Sequence, residues 1–373
     1  MFLSLMEGNE AIARGAVAAG CRFFAGYPIT PATPIYTAML NLLPPCGGIC
    51  LQGEDEIASI GFCLGAAMAG MKVMTATSGP GISLYSENIS FAIGSEIPIV
   101  IVDIQRLGPS TGSATRGADG DINFLRWGNS GGLPVIVLAP VDVQDCFSLT
   151  IHAFNLAERF RCPVFIASNK EVAMTRETIE LSALQKPDII ERTRPSDSKS
   201  FLPFRVENSQ NVPDFLPVGG EALVRQTSST HGQDGYITTD HNQIAQVLMR
   251  LQQKLLSNVG QFSFYELHTM EGAKTLVIAY GVTARAARAV FKKRENLKRP
   301  INLLILKTLW PAPHQIIRRA ASKVARLVVV EMNLGQYVRE IERIVPDKPT
   351  AFLGQMDGRL ITPEQIREVI NNG

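Results

Sequence analysis

The chain has 373 residues, of which 46% are hydrophobic and 19% charged, so it has enough apolar surface to form packed cores and does not read as a disordered polar chain. Because domains usually hold about 100 to 200 residues, this length predicts two or three of them. Thirty-six Lys and Arg residues against thirty-four Asp and Glu residues leave a net charge of only +2, which argues against a nucleic-acid-binding protein.

No apolar stretch approaches the roughly 18 residues that a membrane-spanning helix requires, and the first residues lack the basic region of a secretory signal. We therefore expect a cytoplasmic protein without a membrane segment. The six cysteines lie mostly within apolar segments, which predicts reduced thiols in the core. The five histidines are scattered, and the C-x-x-x-C spacing of Cys46 and Cys50 is not completed by further ligands, so the sequence assigns no metal site to this chain.

Residues 8 to about 170 show short apolar runs alternating with segments of helical spacing, the pattern of successive βα units around a parallel sheet. Apolar runs predict strands at 22–25, 73–77, 99–103, 135–139 and 164–167. Helical spacing or small-residue faces predict helices at 8–19, 32–42, 56–70, 83–94, 119–127 and 142–159.

Residues 184–240 are rich in Pro, Ser, Asp and Gly and show no sustained periodicity, which predicts a connecting segment. A strongly helical pattern follows at 240–257. The last hundred residues then repeat the βα rhythm, with β elements in TLVIAYG, INLLILKTLWP, ARLVVVEMN and TAFLG. These patterns predict a first domain at 1–183, a linker at 184–265 that contains the helix, and a smaller α/β domain at 266–373.

A proline-rich loop, Tyr27-Pro28-Ile29-Thr30-Pro31, follows the first predicted strand. Ligands of parallel α/β sheets bind at the carboxyl ends of the strands, so a stiff loop with exposed hydroxyls there suits a small polar ligand. The structural alternative is a helix start at which Thr33 is the N-cap and Pro34 the first helical residue.

Three carboxylates, Glu54, Asp55 and Glu56, open the next predicted helix. An acidic first turn complements the helix dipole and needs no catalytic explanation. The helix behind them carries almost no bulky side chains, however, which allows close packing and leaves a carboxylate at its mouth poorly solvated. Such a carboxylate could meet a cofactor.

Two further loops follow strands. The segment 75–81, Thr-Ala-Thr-Ser-Gly-Pro-Gly, either offers free N–H groups at a helix start or is simply a tight turn. It matches neither the dinucleotide-binding pattern nor the P-loop pattern.

Arg106 stands at the end of the strand that carries Asp103, and a polar loop follows it. Its guanidinium is suited to bidentate binding of a carboxylate, with hydroxyls such as that of Thr115 nearby.

Taken in order, these segments resemble the alpha subunit of multi-subunit 2-oxoacid:ferredoxin oxidoreductases, which use thiamine diphosphate. The resemblance spans nearly the whole chain and rests on Y-P-I-T-P at 27–31, E-D-E-I-A-S at 54–59, T-x-T-S-G-P-G at 75–81, D-I-Q-R-L-G-P-S-T-G at 103–112 and V-V-V-E-M-N-x-G-Q at 328–336. It implies an α/β fold: the pyrimidine-binding domain of thiamine enzymes, a parallel sheet covered by helices, followed by a smaller transketolase C-terminal-like domain.

The resemblance also implies roles for individual residues. Glu56 is similar to the glutamate that hydrogen-bonds the aminopyrimidine N1′ of the cofactor and so promotes loss of the thiazolium C2 proton. Glu54 takes this role if the register is shifted. Thr30 and Arg106 resemble the residues that meet the 2-oxoacid, Arg106 through the carboxylate, and Thr115 resembles a further substrate-side residue. The resemblance places Tyr27, Pro28 and Ile29 against the cofactor.

The Gly-Asp-Gly that usually begins the diphosphate and Mg²⁺ site of thiamine enzymes does not occur in this sequence. The resemblance therefore implies half an active site. A beta subunit would supply the diphosphate and Mg²⁺ site and a [4Fe–4S] cluster, a gamma subunit would complete the coenzyme A site, and a delta subunit is often present.

The activity implied is oxidative decarboxylation of a 2-oxoacid with coenzyme A and ferredoxin, and the motif version is most similar to the 2-oxoglutarate branch. Branched-chain 2-oxoacids and pyruvate remain alternative substrates. A subunit of a non-redox thiamine-dependent decarboxylase and a non-catalytic scaffold are rival interpretations, because both can use the pyrimidine-binding fold.

Overall fold

A computed structural model describes residues 3–180, 188–198, 200–208, 211–293 and 297–372. The strands within these ranges are β1 (Leu3–Glu7), β2 (Phe23–Gly26), β3 (Ile49–Gln52), β4 (Val73–Thr77), β5 (Ile99–Gln105), β6 (Ile136–Leu138), β7 (Pro163–Asn169), β8 (Arg176–Glu180), β9 (Tyr265–His268), β10 (Thr275–Ala279), β11 (Ile301–Leu306), β12 (Thr308–Trp310), β13 (Arg326–Glu331) and β14 (Thr350–Gly354).

The helices alternate with these strands along most of the chain. They are α1 (Gly8–Ala18), α2 (Thr33–Leu42), α3 (Glu56–Met68), α4 (Gly79–Leu84), α5 (Ser86–Gly94), α6 (Ile122–Trp127), α7 (Val143–Phe160), α8 (Lys170–Met174), α9 (His241–Leu256), α10 (Thr283–Lys292), α11 (His314–Ala321), α12 (Val338–Ile344) and α13 (Pro363–Asn371), with short 3₁₀ turns at Pro44–Cys46 and Val259–Phe262.

The larger sheet has seven strands in the order β12-β6-β7-β5-β4-β2-β3. All neighbouring strands are parallel except β12, which runs antiparallel to β6 at the edge. Every residue of β4, β5 and β7 is buried, as expected of strands that are covered on both faces. The prediction of a parallel sheet covered by helices is confirmed.

The smaller sheet has five strands in the order β14-β13-β10-β11-β9, of which only β9 pairs in the antiparallel sense. Helices α10 and α13 pack on one face of it, in a core of aliphatic side chains. The other face shares a continuous apolar core with the larger sheet and its helices α3 and α5. The predicted second, smaller α/β unit is confirmed.

Residues 301–311 were expected to form one β element, but the structure divides them between the two sheets. Strand β11 belongs to the smaller sheet, whereas β12 pairs with β6 of the larger one. Lys307, between the two strands, forms ion pairs with Asp145 at 2.7 Å and with Glu266 at 2.8 Å. The two sheets are thus linked by packing and also by the chain itself, because consecutive strands belong to different sheets. The domain limits at 183 and 266 stay a prediction.

Other elements depart from the sequence-based expectation. The antiparallel pair β1–β8 and the edge strand β3 were not predicted. The single helix expected at 83–94 is two helices, because Pro80 in the first turn starts α4 at Gly79 and the chain turns again at the buried Tyr85. The prediction of core thiols is correct for the buried Cys21, Cys63, Cys146 and Cys162 and wrong for the exposed Cys46; all six cysteines are free.

The described residues between 188 and 240 contain no helix or strand and lie against the larger sheet's helices. Arg192 anchors this segment: its Nε donates to Glu158 at 2.7 Å, and its Nη1 donates to the carbonyl of Ala67 at 2.7 Å. Helix α9 occupies the position of the predicted linking helix. In the part of the chain that the structure covers, no helix combines the length and hydropathy needed to cross a membrane.

Candidate active site

The carboxyl ends of β2, β4 and β5 converge with the amino end of α3 at one edge of the larger sheet. Arg106, just after β5, donates from Nη1 to the carbonyl oxygen of Thr30 at 2.6 Å, which joins two of the loops. A third segment, residues 77–81, lies beside both Arg106 and Glu56. The structure therefore brings together three of the loops singled out in the sequence, as parallel strands require.

Of the three carboxylates at the start of α3, only Glu56 turns inward. Asp55 is the N-cap, and its Oδ1 accepts from the Ala58 N–H at 2.7 Å. Glu54, the alternative in a shifted register, is exposed, whereas Glu56 is 8% exposed. Among the described residues the Glu56 carboxylate has no hydrogen-bond or ion-pair partner, so it is a nearly buried acceptor open to an external donor.

Glycine at position 81 lets the 77–81 segment approach Glu56. A Cβ there would lie 2.9 Å from Oε1 of Glu56 and would also overlap Oγ1 of Thr77. The hydroxyls of Thr77 and Ser78 are buried without a hydrogen-bond partner among the described residues. This segment therefore borders Glu56 with unused polar groups, which fits a polar ligand better than a plain turn. Sequence reasoning had singled out the segment without recognising the role of Gly81.

The 27–31 loop is anchored by a hydrogen bond from helix α1. Asn9 at the start of α1 donates from Nδ2 to the carbonyl of Pro31 at 3.1 Å, a contact that the sequence did not reveal. The side chain of Thr30 is exposed and Tyr27 is 40% exposed, so both are available to a ligand. The capping alternative is wrong, because α2 begins at Thr33 itself and Ala32 occupies the N-cap without a side-chain bond.

Arg106 is 5% exposed, yet its guanidinium is only partly satisfied. Its Nη1 donates to Thr30, but its buried Nε has no hydrogen-bond partner among the described residues. No described carboxylate forms an ion pair with the guanidinium. A buried cation with unused donors is suited to bind an incoming carboxylate. Thr115, by contrast, lies on the exposed part of the loop that follows, and within the described chain no hydrogen bond links it to Arg106.

The loop after Arg106 is braced by the smaller sheet. The side chain of Asn333 donates to the carbonyl of Asp119 at 2.9 Å, and Gln336 donates to the carbonyl of Gly120 and accepts from the N–H of Asn123 at 2.8 Å. Glu331 in turn accepts from the N–H groups of Tyr337 and Val338. The motif at 328–336 thus braces the loop that follows Arg106.

A group of buried acids lies behind the site and was not predicted. Burial, together with the neighbouring Asp121, raises the pKa of Asp103 well above its usual value, and burial raises the pKa of Asp121 to about 6. Burial and Glu171 likewise raise the pKa of Asp119. Within the described residues no group of three or more His, Cys, Asp or Glu side chains has a geometry that could hold a metal ion.

Comparison with known proteins is consistent with this geometry. Residues 14–250 match the family model described as pyruvate flavodoxin/ferredoxin oxidoreductase, thiamine diphosphate-binding, and residues 273–366 match the model of pyruvate:ferredoxin oxidoreductase core domain II. The chain is 38% identical to the 2-oxoglutarate synthase subunit KorA of Methanocaldococcus jannaschii, over 99% of this chain and 100% of the relative. It is 32% identical to the ketoisovalerate oxidoreductase subunit VorB of Methanothermobacter thermautotrophicus, over 99% of this chain and 98% of the relative.

Among solved structures, 2-oxoglutarate:ferredoxin oxidoreductase from Magnetococcus marinus, with 2-oxoglutarate, coenzyme A and succinyl-CoA bound, matches with a TM-score of 0.92 and 31% identity. The match covers 99% of this chain, which spans 65% of the length of that one. A split-gene transketolase matches with a TM-score of 0.57 and 12% identity, over 99% of this chain and 98% of that one, a likeness of fold alone. The chain belongs to the family of multi-subunit, thiamine-diphosphate-binding 2-oxoacid:ferredoxin oxidoreductases.

Proposed function

We propose that this chain is the alpha subunit of a 2-oxoglutarate:ferredoxin oxidoreductase. The reaction converts the 2-oxoacid, coenzyme A and oxidised ferredoxin into the acyl-CoA, carbon dioxide and reduced ferredoxin. The observation that carries the proposal is the convergence of an unpartnered, nearly buried carboxylate, Glu56, with an incompletely satisfied, buried cation, Arg106, across the 77–81 segment. Glu56 suits the cofactor, and Arg106 suits the substrate carboxylate.

Glu56 fits the aminopyrimidine of thiamine diphosphate. Its carboxylate lacks a donor from the described residues, and Gly81 leaves space directly against it. The chemistry supplied by bound thiamine diphosphate is a nucleophilic thiazolium carbon and an electron sink for decarboxylation. In the proposal Glu56 holds a proton at N1′ of the ring, and Tyr27, Pro28 and Ile29 border the same ring from the loop after β2.

Arg106 binds and orients the 2-oxoacid in this account. Its free donors meet the substrate carboxylate, and the hydroxyl of Thr30 lies on the loop that Arg106 itself anchors. Because the guanidinium is almost fully buried, water competes weakly and the charge-assisted hydrogen bonds are correspondingly strong. Thr115 is assigned to the substrate side of the loop from the motif alone.

The proposal requires partner subunits. No Gly-Asp-Gly occurs in the chain, and its described residues include no metal cluster, so the diphosphate, Mg²⁺ and [4Fe–4S] sites are assigned to a beta subunit. A gamma subunit would complete the coenzyme A site, a delta subunit is an optional addition, and ferredoxin is the electron acceptor. The relatives' names, which describe subunits, support an assembly of this kind.

Two observations favour 2-oxoglutarate as the substrate. Four archaeal relatives named 2-oxoglutarate synthase subunit KorA are 37% to 40% identical over nearly the whole chain, and the solved relative from Magnetococcus marinus holds 2-oxoglutarate. The relatives named ketoisovalerate oxidoreductase subunit VorB are less similar, at 31% to 32%. Branched-chain 2-oxoacids are therefore the second candidate substrates.

The test is reduction of a viologen dye by the assembled enzyme. The chain is co-expressed with its beta subunit and supplied with thiamine diphosphate, Mg²⁺ and coenzyme A, and 2-oxoglutarate, 2-oxoisovalerate and pyruvate are compared in parallel. We expect kcat/KM to be highest with 2-oxoglutarate. A higher kcat/KM with another acid would overturn 2-oxoglutarate as the substrate in favour of that acid. Carbon dioxide release without dye reduction would overturn the redox function.

A further inference from the structure

Asp103 and Asp121 form a buried pair of carboxyl groups beside Arg106. Asp103 lies on the central strand β5, where it is paired in register with Thr77 of β4 and Ala167 of β7. Asp121 immediately precedes α6, and its N–H donates to Oε1 of Gln105 at 3.0 Å, which fixes its position against the end of β5. Both oxygens of Asp103 and Oδ2 of Asp121 are buried without a conventional donor within the described chain.

Burial is the largest influence on the protonation of both carboxyl groups, and their interaction with each other adds to it for Asp103. Two facing carboxylates out of water repel strongly, and one proton held between them removes the repulsion and satisfies an oxygen on each side. Burial and the neighbouring Asp119 also disfavour a second charge on Asp103, and the smaller effect of the Gly79 backbone opposes them. One shared proton would leave the pair with a single negative charge.

The pair lies next to Arg106 without neutralising it through a direct contact. Gly79 stands between them: its backbone acts on Asp103, and a Cβ at this residue would lie 3.9 Å from Nε of Arg106. Arg106 lowers the pKa of Asp121 against the larger effect of burial, so its charge reaches the pair, although no ion pair forms within 4.0 Å. Arg106 thus has a counter-charge that leaves its donors free.

We propose that Asp103 and Asp121 are positioning residues that share one proton and thereby hold a single negative charge beside Arg106, so that the guanidinium stays oriented and available for the substrate carboxylate. A fully ionised pair would compete with the substrate for Arg106. This role rests on the proposed function of Arg106 in binding a 2-oxoacid, and it adds to that function the reason why a nearly buried cation remains unpaired.

The experiment compares the pH dependence of KM in the assembled enzyme and in its Asp103→Asn and Asp121→Asn variants, with any 2-oxoacid that the enzyme turns over. In the unsubstituted enzyme, loss of the shared proton at alkaline pH adds a charge beside Arg106, and KM is expected to rise by about tenfold. In either variant the amide replaces the protonated partner and cannot ionise, so the alkaline rise disappears. The exposed Asp347 supplies the matched control, Asp347→Asn, which keeps the rise.

A second measurement needs no turnover. Difference infrared spectra with isotope-labelled aspartate report a protonated carboxyl group directly. We expect the same carboxyl band to be lost in Asp103→Asn and in Asp121→Asn. An unchanged alkaline rise in both variants, or the absence of any such band in the unsubstituted protein, would overturn the shared proton. Failure of every 2-oxoacid as a substrate would instead overturn the proposed function, while the infrared result would still decide the state of the pair.

Discussion

At the scale of single residues, the unsatisfied side of Arg106 is the feature with the clearest chemical consequence. Its Nη1 is engaged by the carbonyl of Thr30, while Nε is buried and unpartnered among the described residues. Leaving a charged donor unpaired is costly, so the free donors of Arg106 favour a ligand that completes them. The residue type matters as much as the charge, because the planar guanidinium can form two parallel bonds to a carboxylate.

Replacing Arg106 by lysine is therefore expected to weaken substrate binding. Arg106→Lys keeps the charge and loses the paired geometry, so KM for the 2-oxoacid should rise by about tenfold to a hundredfold while kcat changes less. Steady-state kinetics of the assembled enzyme measure both constants. The control is Arg339→Lys on the exposed surface. A KM that stays within twofold of the unsubstituted enzyme would remove Arg106 from the substrate site.

The candidate residues on the loops after β2 and β5 and at the start of α3 were predictable from position and residue type. Among the three acids, only the resemblance to the family motif singled out Glu56, and the structure adds a physical reason: Asp55 caps the helix, Glu54 is exposed and Glu56 alone faces inward. The residues that were missed, Asn9, Gly81, Asp103 and Asp121, act through contacts with segments distant in the sequence or through a missing side chain. Spacing along one segment carries no signal for such contacts.

At the scale of elements, the 77–81 segment determines how closely the two halves of the site approach. Gly79 has a φ of 27°, in the region that favours glycine, and packs beside Arg106, while Gly81 packs against Glu56. A side chain at position 81 would overlap Glu56 and Thr77, whereas at position 79 the backbone φ, and not a lack of space, favours glycine. Both glycines lie in the first turn of the short helix α4.

Gly81→Ala should consequently impair catalysis more than stability. The added methyl group meets Glu56 at 2.8 to 2.9 Å and also overlaps Thr77, and overpacking of this kind costs about 1 to 3 kcal/mol or moves the carboxylate. We expect turnover to fall at least about tenfold. The control is Gly260→Ala, where a Cβ would meet no atom within 4 Å. Equal turnover in the two variants would show that Glu56 does not need this close approach.

The element pattern of the larger sheet followed from apolar runs and helical spacing, since each βα unit is local in sequence. Strand β12 did not, because its partner β6 lies about 170 residues earlier and the apolar run 301–311 gives no sign of a break. Lys307, with its two acidic partners, marks the point at which the chain leaves one sheet for the other. Charge within an apolar run was the available signal.

At the scale of the whole molecule, helix α9 and the connecting segment are fastened by a buried ionic network. Glu96 accepts from Arg250 and from Lys254, both on α9, and the Lys254 contact is 2.8 Å. Burial raises the pKa of Glu96, but Lys254 and Arg250 outweigh burial and lower it from 4.5 to about 2. The network could not be derived from sequence, because its members are about 150 residues apart.

This network predicts a local loss of stability in Glu96→Gln and in acid. Since the pKa of Glu96 is lowered on folding, its contribution is present above about pH 4.5 and is lost as the pH falls from there toward 2. Removing the charge leaves two buried cations unpaired, a change that typically costs about 3 to 5 kcal/mol. Hydrogen exchange of the α9 amides in the assembled enzyme should therefore accelerate. The exposed Glu342 provides the control, Glu342→Gln, and unchanged exchange in α9 would contradict the role of the network.

In the proposed function the chain supplies half of an active site, and Glu56 provides the proton contact that activates a cofactor held jointly with a partner. The most direct test is the rate of hydrogen–deuterium exchange at C2 of thiamine diphosphate in the assembled enzyme, with Glu56→Gln compared with the exposed control Glu54→Gln. We expect exchange to slow by about 10² to 10⁴ in Glu56→Gln, with assembly and cofactor binding retained, and to stay unchanged in Glu54→Gln. Equal exchange rates in the two variants would contradict the assignment of Glu56.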